Sequence, residues 1–119
     1  MFKAIALLKA KPGLSREAFI EYYENCHVPL ILELQPQIVE YRRNFLLDDG
    51  AIIAPGASAP DFDVITEIWY ADRAGYEAAM ADYARPEVSS RIVRDEENFL
   101  DRSKTRFFLV EEHHARIER

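Results

Sequence analysis

Four short stretches of this chain, apolar or alternating, read as strands, and the stretches after the first and third carry apolar residues every three or four; the order of these elements constrains the fold more than any other feature. Phe2–Lys9 reads as a strand, closed by the turn Lys11-Pro12-Gly13. Ser15 stands where a helix N-cap belongs, Leu14 and Phe19 are spaced as a hydrophobic staple, and Glu17 suits the helix dipole. Phe19, Tyr22, Tyr23, Cys26 and Leu30 form that helix's inward stripe, and Pro29 should end or kink it near His27. Ile38–Asp48 is expected as the second strand, Phe62–Tyr70 as the third and Lys104–Glu112 as the last. Before the last strand, Asp72 caps a helix with the stripe Tyr76, Ala79, Met80 and Tyr83, and Pro86 opens another through about Leu100. Asp49–Pro60 is the longest loop, a length that suits a site rim or a flexible tip.

Strand, helix, strand, strand, helices, strand is the split βαβ, ferredoxin-like order: an α+β domain with a four-stranded antiparallel sheet and helices on one face. The uncovered face should be polar in a monomer. Here Ile5 and Leu7 oppose Phe2 and Leu8, and Phe108 and Val110 oppose Phe107 and Leu109, so both faces are apolar. A second copy packed through the sheet face is the expected cover. The 119 residues fit one domain, taken as 1–112, with a polar tail at 113–119. Fifteen Lys and Arg against 21 Asp and Glu leave a net charge of −6, the wrong sign for nucleic acid or an anionic membrane. The single cysteine, Cys26, allows no internal disulfide and no multi-cysteine zinc site. Ala4–Leu8 is too short an apolar run for a signal peptide, and nothing approaches the roughly 20 residues of a membrane span. A cytoplasmic protein is the expectation.

No nucleophile elbow, phosphate loop, dinucleotide fingerprint or two-histidine metal motif occurs, so no metal and no cofactor are expected. Chemistry must come from single polar residues in apolar settings. His27 lies on the edge of the first helix's apolar stripe, where an imidazole either titrates near neutrality as an acid–base group or caps helix carbonyls and fills a seam. Asp95 falls in the middle of the stripe Val88, Ile92, Phe99. An acid facing a core is paired, neutralised or at a cavity edge. Asp95 is therefore a partner for a base such as His27, a pocket anchor, or half of an ion pair with Arg42 or Arg91. Glu96 and Glu97 read as solvated charge. Glu40, Arg42 and Asn44 share one strand face, and cross-strand pairing such as Arg42 with Glu67 accounts for charges of this kind. Tyr22, Tyr23, Tyr41, Trp69 and Phe99 are core residues or the lining of an aromatic-friendly cavity. Cys26 and His27 diverge by about 100° on a helix, which argues against a dyad, and a lone buried cysteine is usually packing.

Several of these segments together resemble the EthD family. They are Phe19-Ile20-Glu21-Tyr22-Tyr23 with His27-Val28-Pro29-Leu30, then Tyr41-Arg42-Arg43-Asn44-Phe45, Phe62-Asp63-Val64-Ile65-Thr66-Glu67-Ile68-Trp69, Asp95-Glu96-Glu97-Asn98-Phe99 and the terminal strand Arg106–Glu112, spanning about residues 2–112. The resemblance implies a ferredoxin-like subunit that pairs sheet to sheet as a dimeric α+β barrel, with a small-molecule cleft between sheet and helices. It links the chain to degradation of ethers and aromatic compounds, lactone isomerisation and polyketide cyclisation or dehydration. By position it makes His27 the site histidine and Tyr41 a pocket partner, and it assigns nothing to Asp95. The expected function is a cofactor-independent isomerase, cyclase or dehydratase for a hydrophobic oxygenated compound. In that scheme His27 moves a proton, Tyr41 steadies an oxyanion, Asp95 or Arg42 fixes a polar substituent, and Tyr23, Trp69 and Phe99 contact the substrate. The alternatives are a monooxygenase, cofactor-free or haem-using, and a non-catalytic ligand-binding accessory protein.

Overall fold

Ser15 accepts the Ala18 N–H through its hydroxyl at 3.1 Å, and Asp72 accepts the Gly75 N–H at 2.8 Å; both helices start at their expected caps. In the computed structural model, which describes all residues Met1–Arg119, the elements are β1 (Phe2–Leu8), α1 (Arg16–Tyr22), a wide turn of π-helix (Tyr23–His27), α2 (Val28–Leu34), β2 (Ile38–Phe45), β3 (Val64–Tyr70), α3 (Arg73–Ala84), α4 (Pro86–Glu96), a short 3-10 turn (Arg102–Lys104) and β4 (Arg106–Leu109). The sheet order is β2-β3-β1-β4, and every neighbouring pair is antiparallel. This is the α+β, ferredoxin-like arrangement.

The first helix does not end at Pro29. Proline cannot donate a backbone hydrogen bond, and its ring collides with the carbonyl four residues back in an α-helix. The turn before it widens instead, so that the Val28 N–H reaches the Tyr23 carbonyl five residues back, and the helix resumes as α2 through Leu34. The extra residue changes which side chains face inward: Tyr23 and His27 are buried, and Cys26, expected on the inward stripe, is exposed.

The remaining differences lie at strand and helix ends. β2 stops at Phe45, opposite the start of β3 at Val64; beyond them the Asp63 backbone still bonds Leu46 and Leu8, and its carboxylate accepts the Ala10 N–H at 2.7 Å. β4 is shorter than expected at both ends. Asp101 caps the 3-10 turn before it, and β1 runs out beyond the bond from the Val110 N–H to the Lys3 carbonyl. α4 ends at Glu96, whose carbonyl accepts the Phe99 and Leu100 N–H groups as the chain turns away.

The inner sheet face presents Ala4, Ala6 and Leu8 opposite Ile68, Thr66 and Val64. Under the helices two clusters form. One contains Leu8, Phe19, Tyr23, Val64, Phe99 and Leu100, and the other Ala4, Tyr70 and Ala79. The small Ala4 and Ala6 on the central strand leave volume between the two. The outer face carries Ile5, Leu7, Ile65 and Phe108 at one end and a polar network at the other. Arg42 and Glu67 oppose each other in register but do not pair. Lys3 takes the Glu67 carboxylate at 2.7 Å and Asn44 donates to it at 3.0 Å, whereas Arg42 turns to Glu40 and lies over the Trp69 ring. No helix is long and apolar enough to cross a membrane.

Candidate active site

The space between the two core clusters is a cavity of about 350 Å³, at the small end of the size range of ligand sites. Its walls are mostly apolar, with Ala6, Ile31, Ile38, Ile68, Met80 and Ile92 among them, and a few polar side chains converge on it: His27, Gln35, Tyr41, Thr66, Glu96, Arg102 and Thr105. A second cavity of about 450 Å³ opens under the Asp49–Pro60 loop, and the loop rims this one through Ala59 and Pro60. There Lys9 pairs with Asp63 at 3.5 Å, and no histidine or cysteine is present. The buried imidazole of His27 lines the first.

His27 is 4% exposed, at the end of the π turn. Its Nδ1 lies 2.7 Å from Asp95 Oδ2, and the other carboxylate oxygen accepts the Tyr22 hydroxyl at 2.7 Å. Asn98 in turn donates to the Tyr22 oxygen at 2.8 Å. Burial pushes the His27 imidazole below its ordinary value, against the opposing pull of the Asp95 hydrogen bond and charge. The resting ring is therefore neutral, with Nδ1–H donating to Asp95 and the lone pair left on Nε2. Nε2 has no protein partner and is not sealed from the cavity that His27 lines. The Phe99 ring (4.9 Å between centroids) and the Tyr23 ring (5.2 Å) fix the plane of the imidazole. Such an arrangement can serve as a base: one nitrogen is oriented by a carboxylate, and the other is left without a protein partner beside an apolar space.

Burial pushes the phenol of Tyr41, which lines the same cavity, well above its usual value, so it remains a protonated donor. It interacts with the Tyr23 hydroxyl, which forms a 2.6 Å bond with Thr66 Oγ1. Tyr23, Tyr41 and Thr66 thus form one polar seam on an otherwise apolar wall.

The structure brings His27, Tyr41 and Tyr23 to one cavity and sets Asp95 directly behind His27. It does not bring the other expected residues there. Arg42 and Trp69 sit on the outer sheet face, because their strand positions alternate with Tyr41 and with Ile68 and Tyr70, which face the cavity. Phe99 is 0% exposed and packs behind the imidazole, so it supports the histidine and does not line the cavity. Asp95 pairs with neither Arg42 nor Arg91; Arg91 binds Glu33. No group of three or more His, Cys, Asp or Glu is disposed to hold a metal ion.

The EthD domain profile matches residues 11–103 of the chain. The chain belongs to the EthD family. Among solved structures, an EthD family protein from Bacillus halodurans is 22% identical over 95% of this chain and 100% of its own, with a TM-score of 0.63. A dimeric protein of unknown function and ferredoxin-like fold from Bacteroides fragilis is 9% identical over 93% of this chain and 95% of its own, with a TM-score of 0.56. SnoaB, a cofactor-independent oxygenase from Streptomyces nogalater, is 9% identical over 98% of this chain and 97% of its own, also with a TM-score of 0.56. These likenesses support the fold. No curated protein sequence matches significantly.

Two residues of this EthD chain that line the cavity carry no site reading in the sequence. Glu96, expected in solvent, lines the cavity beside Arg102, and burial raises its carboxyl. The signal was present: Val88, Ile92 and Glu96 are each four apart, on the same side of α4 as the stripe that singles out Asp95. Arg102 gave no such signal, because its placement depends on the 3-10 turn that folds back to β4.

Proposed function

We propose that this EthD-family protein is a cofactor-independent enzyme that moves a proton on a hydrophobic, oxygenated ring compound, as an isomerase, cyclase or dehydratase does. The observation that carries this reading is the neutral His27, its Nδ1–H held by Asp95 and its Nε2 open to an apolar cavity. His27 removes a proton from carbon beside a carbonyl, and Tyr41 donates to the oxygen on which negative charge develops. Asp95 holds the tautomer and stabilises the imidazolium that forms. The apolar walls strengthen both interactions by excluding water.

Wild-type protein incubated in D2O with a panel of aromatic ketones and lactones should place deuterium beside the carbonyl of the accepted compounds. The unprotonated imidazole is the working form, so the rate should rise with pH through the His27 value, which lies below the ordinary 6.5, and level off above it. Binding without exchange or product would turn the reading to a non-catalytic accessory protein. A second reading, attack of the resulting carbanion on dioxygen, is favoured by the likeness to SnoaB, and oxygen uptake separates it from proton transfer alone.

The working unit is a homodimer packed through the outer sheet face, in the cytoplasm. The dimeric Bacteroides fragilis relative supports this, as do Ile5, Leu7 and Ile65 grouped with Phe108, which is 48% exposed. Sedimentation equilibrium at micromolar protein should give twice the mass of one chain, and a monomer there would overturn the arrangement.

A further inference from the structure

The polar groups of the cavity are unevenly spread, and those in one corner have no role in the proton transfer just described. Glu96 ends α4, and Arg102 opens the 3-10 turn that follows; Arg102 Nε donates to Glu96 Oε1 at 3.3 Å. The Glu96 side chain is 17% exposed and that of Arg102 43%, so the pair spans from the cavity wall to its mouth. The second oxygen of Glu96 has no protein partner and is not sealed off, and neither terminal nitrogen of Arg102 has a protein partner. Glu96 follows Asp95 in the chain, yet the two carboxylates serve opposite sides of the wall. Asp95 reaches His27 from behind, and Glu96 faces the space His27 looks into.

A carboxylate oxygen beside a guanidinium edge is an acceptor next to a donor. The ligand group that satisfies both presents a donor next to an acceptor, and on an oxygenated ring that is a hydroxyl beside a carbonyl oxygen. The rest of the cavity is mostly apolar, with Ile31, Ile68 and Met80 on its walls to contact the remaining ring carbons. We infer that Glu96 and Arg102 are the specificity pair of this site and select a ring ketone bearing an adjacent hydroxyl, with the hydroxyl donating to Glu96 and the carbonyl accepting from Arg102. Burial of Glu96, which raises its carboxyl against the pull of Arg102, agrees with a group that faces ligand and not bulk water. This inference rests on the reading of the cavity as a ligand site and adds the chemistry of the ligand's polar end.

The test is calorimetric titration with three neutral compounds of one skeleton: 2-hydroxy-1-tetralone, 1-tetralone, which lacks the hydroxyl, and 2-tetralol, which lacks the carbonyl. Each charge-assisted contact should be worth about tenfold in Kd or more, so the hydroxy ketone should bind wild type at least about tenfold tighter than either relative. Arg102→Met should bring the hydroxy ketone to the affinity of 2-tetralol, and Glu96→Met to that of 1-tetralone. If all three compounds bind wild type alike, the specificity pair is wrong and the cavity stands as a ligand site. If none binds, the ligand-site reading falls and takes the pair with it. The wild-type ranking decides even if one variant fails to fold, which thermal denaturation would reveal.

Discussion

His27→Gln will lower kcat/KM for an accepted substrate by roughly 10²–10⁴-fold, the usual cost of losing a general base. The argument is geometric first. Glutamine preserves a polar side chain of similar reach that can bond Asp95, but it offers no basic lone pair where Nε2 now faces the cavity. A loss within a few-fold of wild type would remove His27 from the chemistry. Asp95→Asn is the companion change, because Asp95 acts only through the imidazole. Its charge opposes the effect of burial on His27, so without it the His27 value drops further and the acid limb of the pH profile moves to lower pH. A rate loss of up to about 10⁴-fold is expected as the Nδ1–H tautomer loses its anchor. A rate loss with an unmoved acid limb would mean that Asp95 serves the fold and not the histidine.

Phe99→Ala should give the largest loss of stability of any single truncation near the site, about 3–5 kcal/mol. Its ring is 0% exposed and meets four others: Phe19 at 5.8 Å, Tyr22 at 5.1 Å, Tyr23 at 5.3 Å and His27 at 4.9 Å between centroids. Removing it leaves a void among aromatic rings carried on one helical segment, and those rings cannot close over it. For a domain of this size each kcal/mol moves Tm by about 4 °C, so a fall of roughly 12–20 °C is expected by circular dichroism. An unchanged Tm combined with weaker ligand binding would instead make Phe99 a cavity residue.

The fold was readable because its signals are local. Ser15 and Asp72 cap helices through atoms three residues away, and the alternation in β1 and β3 needs only the pleat. The same pleat also separated Arg42 from Tyr41, so the placement of Arg42 in the cavity conflicted with information already in the strand. The helix wheel found Asp95 because an acid in an apolar stripe demands a partner, but it could not say whether that partner was His27, Arg42 or Arg91. That choice depends on how α4 crosses the first helix, which is a tertiary fact. Strand ends were misjudged where a neighbour stops first, as β1 does beyond β4, since no strand carries its partner's length in its own residues.

The wide turn at Tyr23–His27 also sets the histidine's address along the chain. One residue more than an α-helix needs rotates everything after it by about 100° relative to everything before it. Counted from the Ser15 cap, an unbroken α-helix puts Cys26 on the inward side; counted back from Pro29, the inward residue is His27. In a distant relative whose first helix lacks this turn, an alignment anchored at the cap would therefore run one residue out of step from here onward. The equivalent base should be sought by its distance from the proline.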